Sequence, residues 1–206
     1  MEKNRLEAFT DGVIAVIITI MVLELKPPHD ATWQALLGNW PVFLSYVMSF
    51  IYVGIYWNNH HHLMQLVEHV NGKVMWANLY FLFWLSLFPF TTAWLNEAHS
   101  EHGEFLAAGP AALYGFVLLM TALSWIPLTR FLIGCNGGAG SPLARALAGG
   151  WKEKISPLIY FIAIVLALSA SIVPYATVVA GGLYALVAAI WFIPDRRIEK
   201  HVMASK

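Results

Sequence analysis

Apolar positions gather along this chain into six long runs, separated by shorter polar stretches. The runs are Ala8–Leu25, Trp40–His60, Val74–Leu95, Phe105–Leu132, Ile155–Ile172 and Tyr175–Ile193. A helix that crosses a bilayer takes about 20 mostly apolar residues. The pattern therefore predicts an all-α polytopic membrane protein with six transmembrane helices, read as one domain over residues 1–206. The first run has a charged start, as a signal peptide does. It lacks a small-residue cleavage site, and Asp11 interrupts it, so it reads as an uncleaved helix. Pro27 and Pro28 end that helix, and Asp30 is placed to cap a short interfacial helix after it. The Gly-rich stretch Gly134–Pro142 lacks the Lys-Ser/Thr ending of a phosphate loop and reads as a flexible linker. Runs five and six are close enough to form a tight hairpin.

Within the first run, Phe9, Gly12, Val16, Thr19 and Leu23 recur at spacings of 3, 4, 3 and 4. They form one stripe along a helix. Periodicity alone leaves two readings open: a packing seam, or one wall of a path across the membrane.

Composition strengthens the membrane reading. The chain is 59% hydrophobic and 12% charged, against about 25% charged in a typical soluble domain. The formal net charge is zero, which gives no electrostatic case for a nucleic-acid partner. A single cysteine, Cys135, excludes an internal disulfide framework and a zinc site built on thiolates. The basic residues set the orientation. With the N-terminus inside, 11 of the 12 lysines and arginines fall on the cytoplasmic side, Arg196, Arg197, Lys200 and Lys206 among them, and only Lys26 falls outside. That asymmetry predicts cytoplasmic N- and C-termini.

Polar groups then mark one level of the bundle. Asp11 lies about a turn into the first helix, Trp57, Asn58, His60 and His61 end the second, and Trp76 and Asn78 start the third. Carboxylates inside membrane helices are expensive and face partners or water. Asp11 and Arg5 are six residues apart and do not stack on one face, so each is expected to reach another helix. A polar layer joining the first three helices follows. The run His60–His62 invites a metal, but neighbours on a helix point about 100° apart, so the three cannot converge on one ion. No metal site and no cofactor are expected. The stretch Tyr52–Trp57 has one glycine, Gly54, where a carbonyl filter needs several in a pore loop. Gly54 is expected instead to mark close packing. An enzyme built on the histidines and a small-solute transporter stand as the alternatives to a channel.

The eight residues Arg5-Leu-Glu-Ala-Phe9-Thr10-Asp11-Gly12 resemble the R-x-x-x-F-S-D-G signature of the transmembrane protein 175 family, the endosomal and lysosomal potassium channels and their prokaryotic relatives. The one departure, Thr10 for Ser, keeps the hydroxyl. The six-helix layout and the cluster Trp57, His60 and His61 are similar to the prokaryotic branch. The resemblance implies a homotetrameric, K⁺-permeable cation channel in the prokaryotic cell membrane, not an enzyme, with the first helices lining the pore. It implies an inner apolar constriction at Val16, a threonine position at Thr19 and an outer constriction at Leu23, with Ile20 replacing the middle layer in some members. Arg5, Phe9, Thr10, Asp11, Gly12, Trp57, His60 and His61 are then structural anchors. The implied partners are other copies of the chain, the bilayer, K⁺ and other monovalent cations.

Overall fold

The structure is a computed structural model, and it describes residues 2–28, 30–102, 106–148 and 150–192. Among the described residues there are nine α-helices and no strand. Each apolar run has become helix, because in lipid the backbone's polar groups must be satisfied within the segment. The helices are α1 (Lys3–Leu23), α2 (Trp33–Gly38), α3 (Trp40–Gln65), α4 (Gly72–Leu85), α5 (Phe88–His102), α6 (Ala108–Cys135), α7 (Pro142–Leu147), α8 (Trp151–Leu168) and α9 (Ala176–Phe192). Among the described residues, four stretches are long and apolar enough to cross a membrane: Lys3–Leu23, Trp40–Gln65, Gly72–His99 and Ala108–Cys135. Helix α9 is apolar but shorter. Helix α8 opens with Lys152, Glu153 and Lys154, so its apolar part is short as well. Phe105, Ile193, Arg196, Arg197, Lys200 and Lys206 lie outside the described residues.

The third apolar run is two helices, not one. The ladder breaks at Ser86 and Leu87, between α4 and α5. Pro89 has no N–H to offer the Leu85 carbonyl, and its ring would clash there. It sits instead in the first turn of α5, where its missing donor costs nothing. The Ser86 hydroxyl donates to the Phe83 carbonyl at 2.8 Å. The short helix after the first run is α2, and its cap is Thr32 rather than Asp30: the Thr32 hydroxyl accepts from the Ala35 N–H at 3.2 Å. The Gly-rich stretch is partly ordered into a 3-10 turn, Gly138–Gly140, before α7. Gly137 precedes that turn with φ of 96°, a conformation that favours glycine.

Helix α1 packs on α3, α4 and α5, at the edge of the bundle. The centre is an aromatic cluster joining α3, α5, α6, α8 and α9. Tyr52 stacks near Phe88 and Tyr160, with ring centroids 6.2 and 6.4 Å away, and Tyr114 lies 5.8 Å from Tyr184. Their hydroxyls are paired inside the bundle, as an environment without water demands. Tyr52 donates to the Tyr184 carbonyl at 2.6 Å, Tyr184 to the Ala111 carbonyl at 3.0 Å, and Tyr160 to the Tyr52 oxygen at 3.3 Å. Ser49 bridges Thr92 at 2.7 Å and Tyr114 at 3.0 Å.

Candidate ion path and its polar anchor

Helix α1 has two apolar faces with different fates. Leu6, Thr10, Ile14, Ile17 and Met21 are buried against the rest of the bundle. Phe9, Gly12, Val16, Thr19 and Leu23 are exposed, and so is Ile20. Val16 is 55% exposed and Leu23 79%. Thr19 satisfies its own hydroxyl by donating to the Val16 carbonyl at 2.8 Å. The stripe marked by spacing is thus the face that this chain leaves uncovered. A shallow groove runs beside it, lined by Phe9, Gly12, Val16 and Ile20 and ending at Ser86 and Pro89, where α4 breaks from α5.

The buried face of α1 is held by a chain of hydrogen bonds. Thr10 donates to the Leu6 carbonyl at 2.9 Å and accepts from the Asn78 amide at 2.8 Å. The Asn78 oxygen lies 3.1 Å from His60 Nε2. The three side chains are fully buried and come from α1, α4 and α3. Because Asn78 donates with its nitrogen, its oxygen accepts, and His60 carries its proton on Nε2. His60 Nδ1 has no hydrogen-bond partner among the described residues. The imidazole is stacked on Phe81 and meets Trp125 edge-on, with centroids 6.3 and 6.4 Å away.

Two further links tie α1 to α3 at the same level, nearer the surface. Trp57 Nε1 donates to Asp11 Oδ1 at 3.0 Å. His61 Nδ1 meets Glu7 Oε1 at 3.1 Å, and Gln65 lies 3.0 Å from the other ring nitrogen. The three histidines thus have separate surroundings. Among the described residues, no group of three or more His, Cys, Asp or Glu side chains could hold a metal.

Arg5 does not reach another helix, contrary to the expectation that both it and Asp11 would. It is exposed, and its side chain has no hydrogen-bond or ion-pair partner among the described residues. The reason is helical phase. At 3.6 residues per turn, Val16 and Leu23 lie within about 20° of Arg5 around the axis, so Arg5 heads the uncovered stripe. Gly54 also departs from expectation: nothing lies within 4 Å of where its Cβ would stand. Glu7 is a contact that the sequence reading missed. Its position four residues before Asp11, on the same helix face, is the signal that could have found it.

Known proteins place this arrangement in a family. A 50% identical relative, named a potassium channel, from Chryseobacterium sp. (strain P1-3), aligns over 200 residues, 97% of each chain. The chain belongs to the TMEM175 family. The profile described as endosomal/lysosomal potassium channel TMEM175 matches residues 5–89, which hold α1, α3, α4 and the whole polar anchor. The crystal structure of a lysosomal potassium-selective channel TMEM175 homolog from Chamaesiphon minutus superposes with a TM-score of 0.76 at 25% identity, covering 94% of this chain and 97% of that one. An animal TMEM175, from Gallus gallus, is named an endosomal/lysosomal proton channel. It is 27% identical over 143 residues, 60% of this chain and 28% of its own length.

Proposed function

We propose that this TMEM175 member is a potassium-permeable cation channel assembled from four copies, each contributing α1 to a central path. The observation that carries the reading is the uncovered stripe of α1, which starts at the level of the polar anchor and runs the length of the helix. Four copies arranged about an axis would bring Val16, Thr19 and Leu23, with Ile20 beside them, to face one another. Rings of Val and Leu side chains offer an ion no ligand. Conduction then depends on keeping water in a narrow apolar neck, and dewetting of that neck closes it. The Thr19 hydroxyl is the one polar group at mid-stripe able to support such water. Without a full ring of oxygens to replace the hydration shell, selectivity for K⁺ is modest.

The whole chain acts as one six-crossing domain, with α8 and α9 as the last two crossings and both termini in the cytoplasm. Its location is the prokaryotic cell membrane. The permeant ion is K⁺, no cofactor takes part, and no reaction is catalysed. The 50% identical relative's name supports K⁺ as the ion. Reconstituting the full chain in liposomes and measuring K⁺ flux tests the proposal. Flux above that of empty liposomes, changed in rate or selectivity by Leu23→Ala, supports it. No flux, or flux indifferent to Leu23→Ala, contradicts the assigned path.

A further inference from the structure

Away from α1, a cavity of about 310 Å³ opens between α3, α6, α7, α8 and α9. Its walls are mostly apolar, with the rings of Tyr52, Tyr56, Trp125, Tyr160 and Trp191 among aliphatic side chains. Two exposed cations, Arg130 and Lys154, also line it, and neither has an ion-pair partner among the described residues. A third, Lys152, lies over the Trp191 ring, 5.7 Å from its centroid. One acid, Glu153, lines the cavity too. Its carboxylate is folded back over Gly150, 2.7–3.0 Å from where a Cβ would stand there. That puts the charge at the N-terminal end of its own helix, where the backbone dipole favours an anion. Two lining cations, Arg130 and Lys154, against this one acid leave the cavity's charge positive. Two polar groups on the wall are unspent: neither the Tyr56 hydroxyl nor the Asn59 amide has a hydrogen-bond partner among the described residues.

We propose that this cavity binds an anionic phospholipid, its phosphate on Arg130 and Lys154 and the upper part of an acyl chain against the apolar walls. Basic pockets between membrane helices on the cytoplasmic side are suited to anionic head groups. Tryptophan and lysine together mark the depth at which head groups sit. A freely soluble anion would make no use of the apolar walls. The volume lies at the low end of ligand sites, which run from about 300 to 1,000 Å³. It suits a head group and the top of a chain, with the remainder of the lipid in the bilayer. The unspent Tyr56 hydroxyl and Asn59 amide supply donors for the phosphate or glycerol oxygens. The site rests on the membrane embedding proposed above and not on the ion path, so a failed flux measurement leaves it standing.

Native mass spectrometry of the purified full chain tests it, with phosphatidylglycerol and phosphatidylcholine of matched acyl chains offered together. The expected result is selective retention of phosphatidylglycerol. In the Arg130→Gln/Lys154→Gln variant that selectivity falls by roughly 30-fold, from the loss of two cations. Ala122→Phe fills the cavity while keeping both cations, and it also loses the bound lipid. Lys154→Gln alone changes only an exposed side chain and is expected to show part of the loss, so the reading survives if the double variant does not fold. Equal retention of the two lipids by the unaltered chain would overturn the proposal. So would undiminished phosphatidylglycerol on a folded double variant. Displacement of the lipid by glycerol 3-phosphate at matched concentration would also overturn it, by identifying a site for a free phosphate rather than a lipid.

Discussion

The Asn78 amide donates to the Thr10 hydroxyl at 2.8 Å, and both side chains are fully buried between α1 and α4. The Thr10 hydroxyl in turn donates to the Leu6 carbonyl one turn earlier. The pair therefore fixes α1 in rotation as well as in position. A turn of α1 about its axis would strand the Asn78 amide N–H. Leaving a buried donor or acceptor unpaired costs about 1–3 kcal/mol. Thr10→Val is expected to lower the stability of the purified protein by that amount, while Thr10→Ser, which keeps the hydroxyl, changes it little. Thermal unfolding in detergent reads the difference, and equal loss from both substitutions would contradict the role given to the hydroxyl.

The link between Trp57 and Asp11 is nearer the surface, and its length is 3.0 Å. It holds α1 to α3 but does not lie on the stripe of Val16 and Leu23. Asp11→Ala is expected to reduce the fraction of assembled oligomer in light scattering after size exclusion. The reversal potential of whatever channel forms should stay unchanged. Asp11→Asn retains an acceptor for the indole and is expected to be the milder change. A normally assembled oligomer with shifted selectivity would instead put the aspartate in the path.

Gly115 is needed for space rather than for backbone freedom. A Cβ there would meet the Tyr184 hydroxyl, with the ring's Cζ at 2.6 Å and Ile164 Cγ1 at 2.9 Å. Tyr184 cannot yield easily, because its hydroxyl donates to the Ala111 carbonyl at 3.0 Å and its own carbonyl accepts from Tyr52. Overpacking of this kind costs about 1–3 kcal/mol, so Gly115→Ala is expected to lower the melting temperature clearly. Adding Tyr184→Phe removes the nearest of these atoms, the hydroxyl oxygen, and is expected to recover part of the loss. Simple additivity of the two losses would contradict this account of Gly115.

Much of this arrangement is legible before any coordinates, because it depends on helical period. Phe9, Gly12, Val16, Thr19 and Leu23 share a face by spacing alone, and that face is the uncovered one. The level shared by Asp11, Trp57, His60 and Asn78 also follows from where each apolar run starts or stops. Other features leave no such trace. Residues Phe83 to Phe90 are almost continuously apolar, so hydropathy runs smoothly through the break at Ser86 and Leu87; only Pro89 hints at it. Arg5 was expected to find a partner because charge near a membrane is costly. Its phase on the helix, shared with Leu23, turns it outward instead. The cavity by Arg130 and Lys154 assembles residues from five helices, a relation that no local pattern carries.

Asn136 gives a test of the loop between α3 and α4. Its side-chain oxygen accepts from the Glu68 and His69 N–H groups, both at 2.8 Å, and its nitrogen donates to the His69 carbonyl at 3.0 Å and the Leu132 carbonyl at 2.8 Å. One amide thus ties the loop to the end of α6. Asn136→Ala frees those backbone groups to open locally. Hydrogen exchange at Glu68 and His69 is expected to speed up at least several-fold while the centre of α6 stays protected. Unchanged exchange at both amides would contradict the tie.

Whether the uncovered stripe of α1 meets the permeant ion is tested most directly by cysteine labelling in liposomes, with Cys135→Ser as background. A charged thiol reagent is applied to Leu23→Cys and, separately, to Met21→Cys, whose position is buried on the opposite face of α1. The channel reading predicts that K⁺ flux through Leu23→Cys is blocked or sharply reduced on labelling, while flux through Met21→Cys is unaffected. Undiminished flux through a fully labelled Leu23→Cys protein would contradict it.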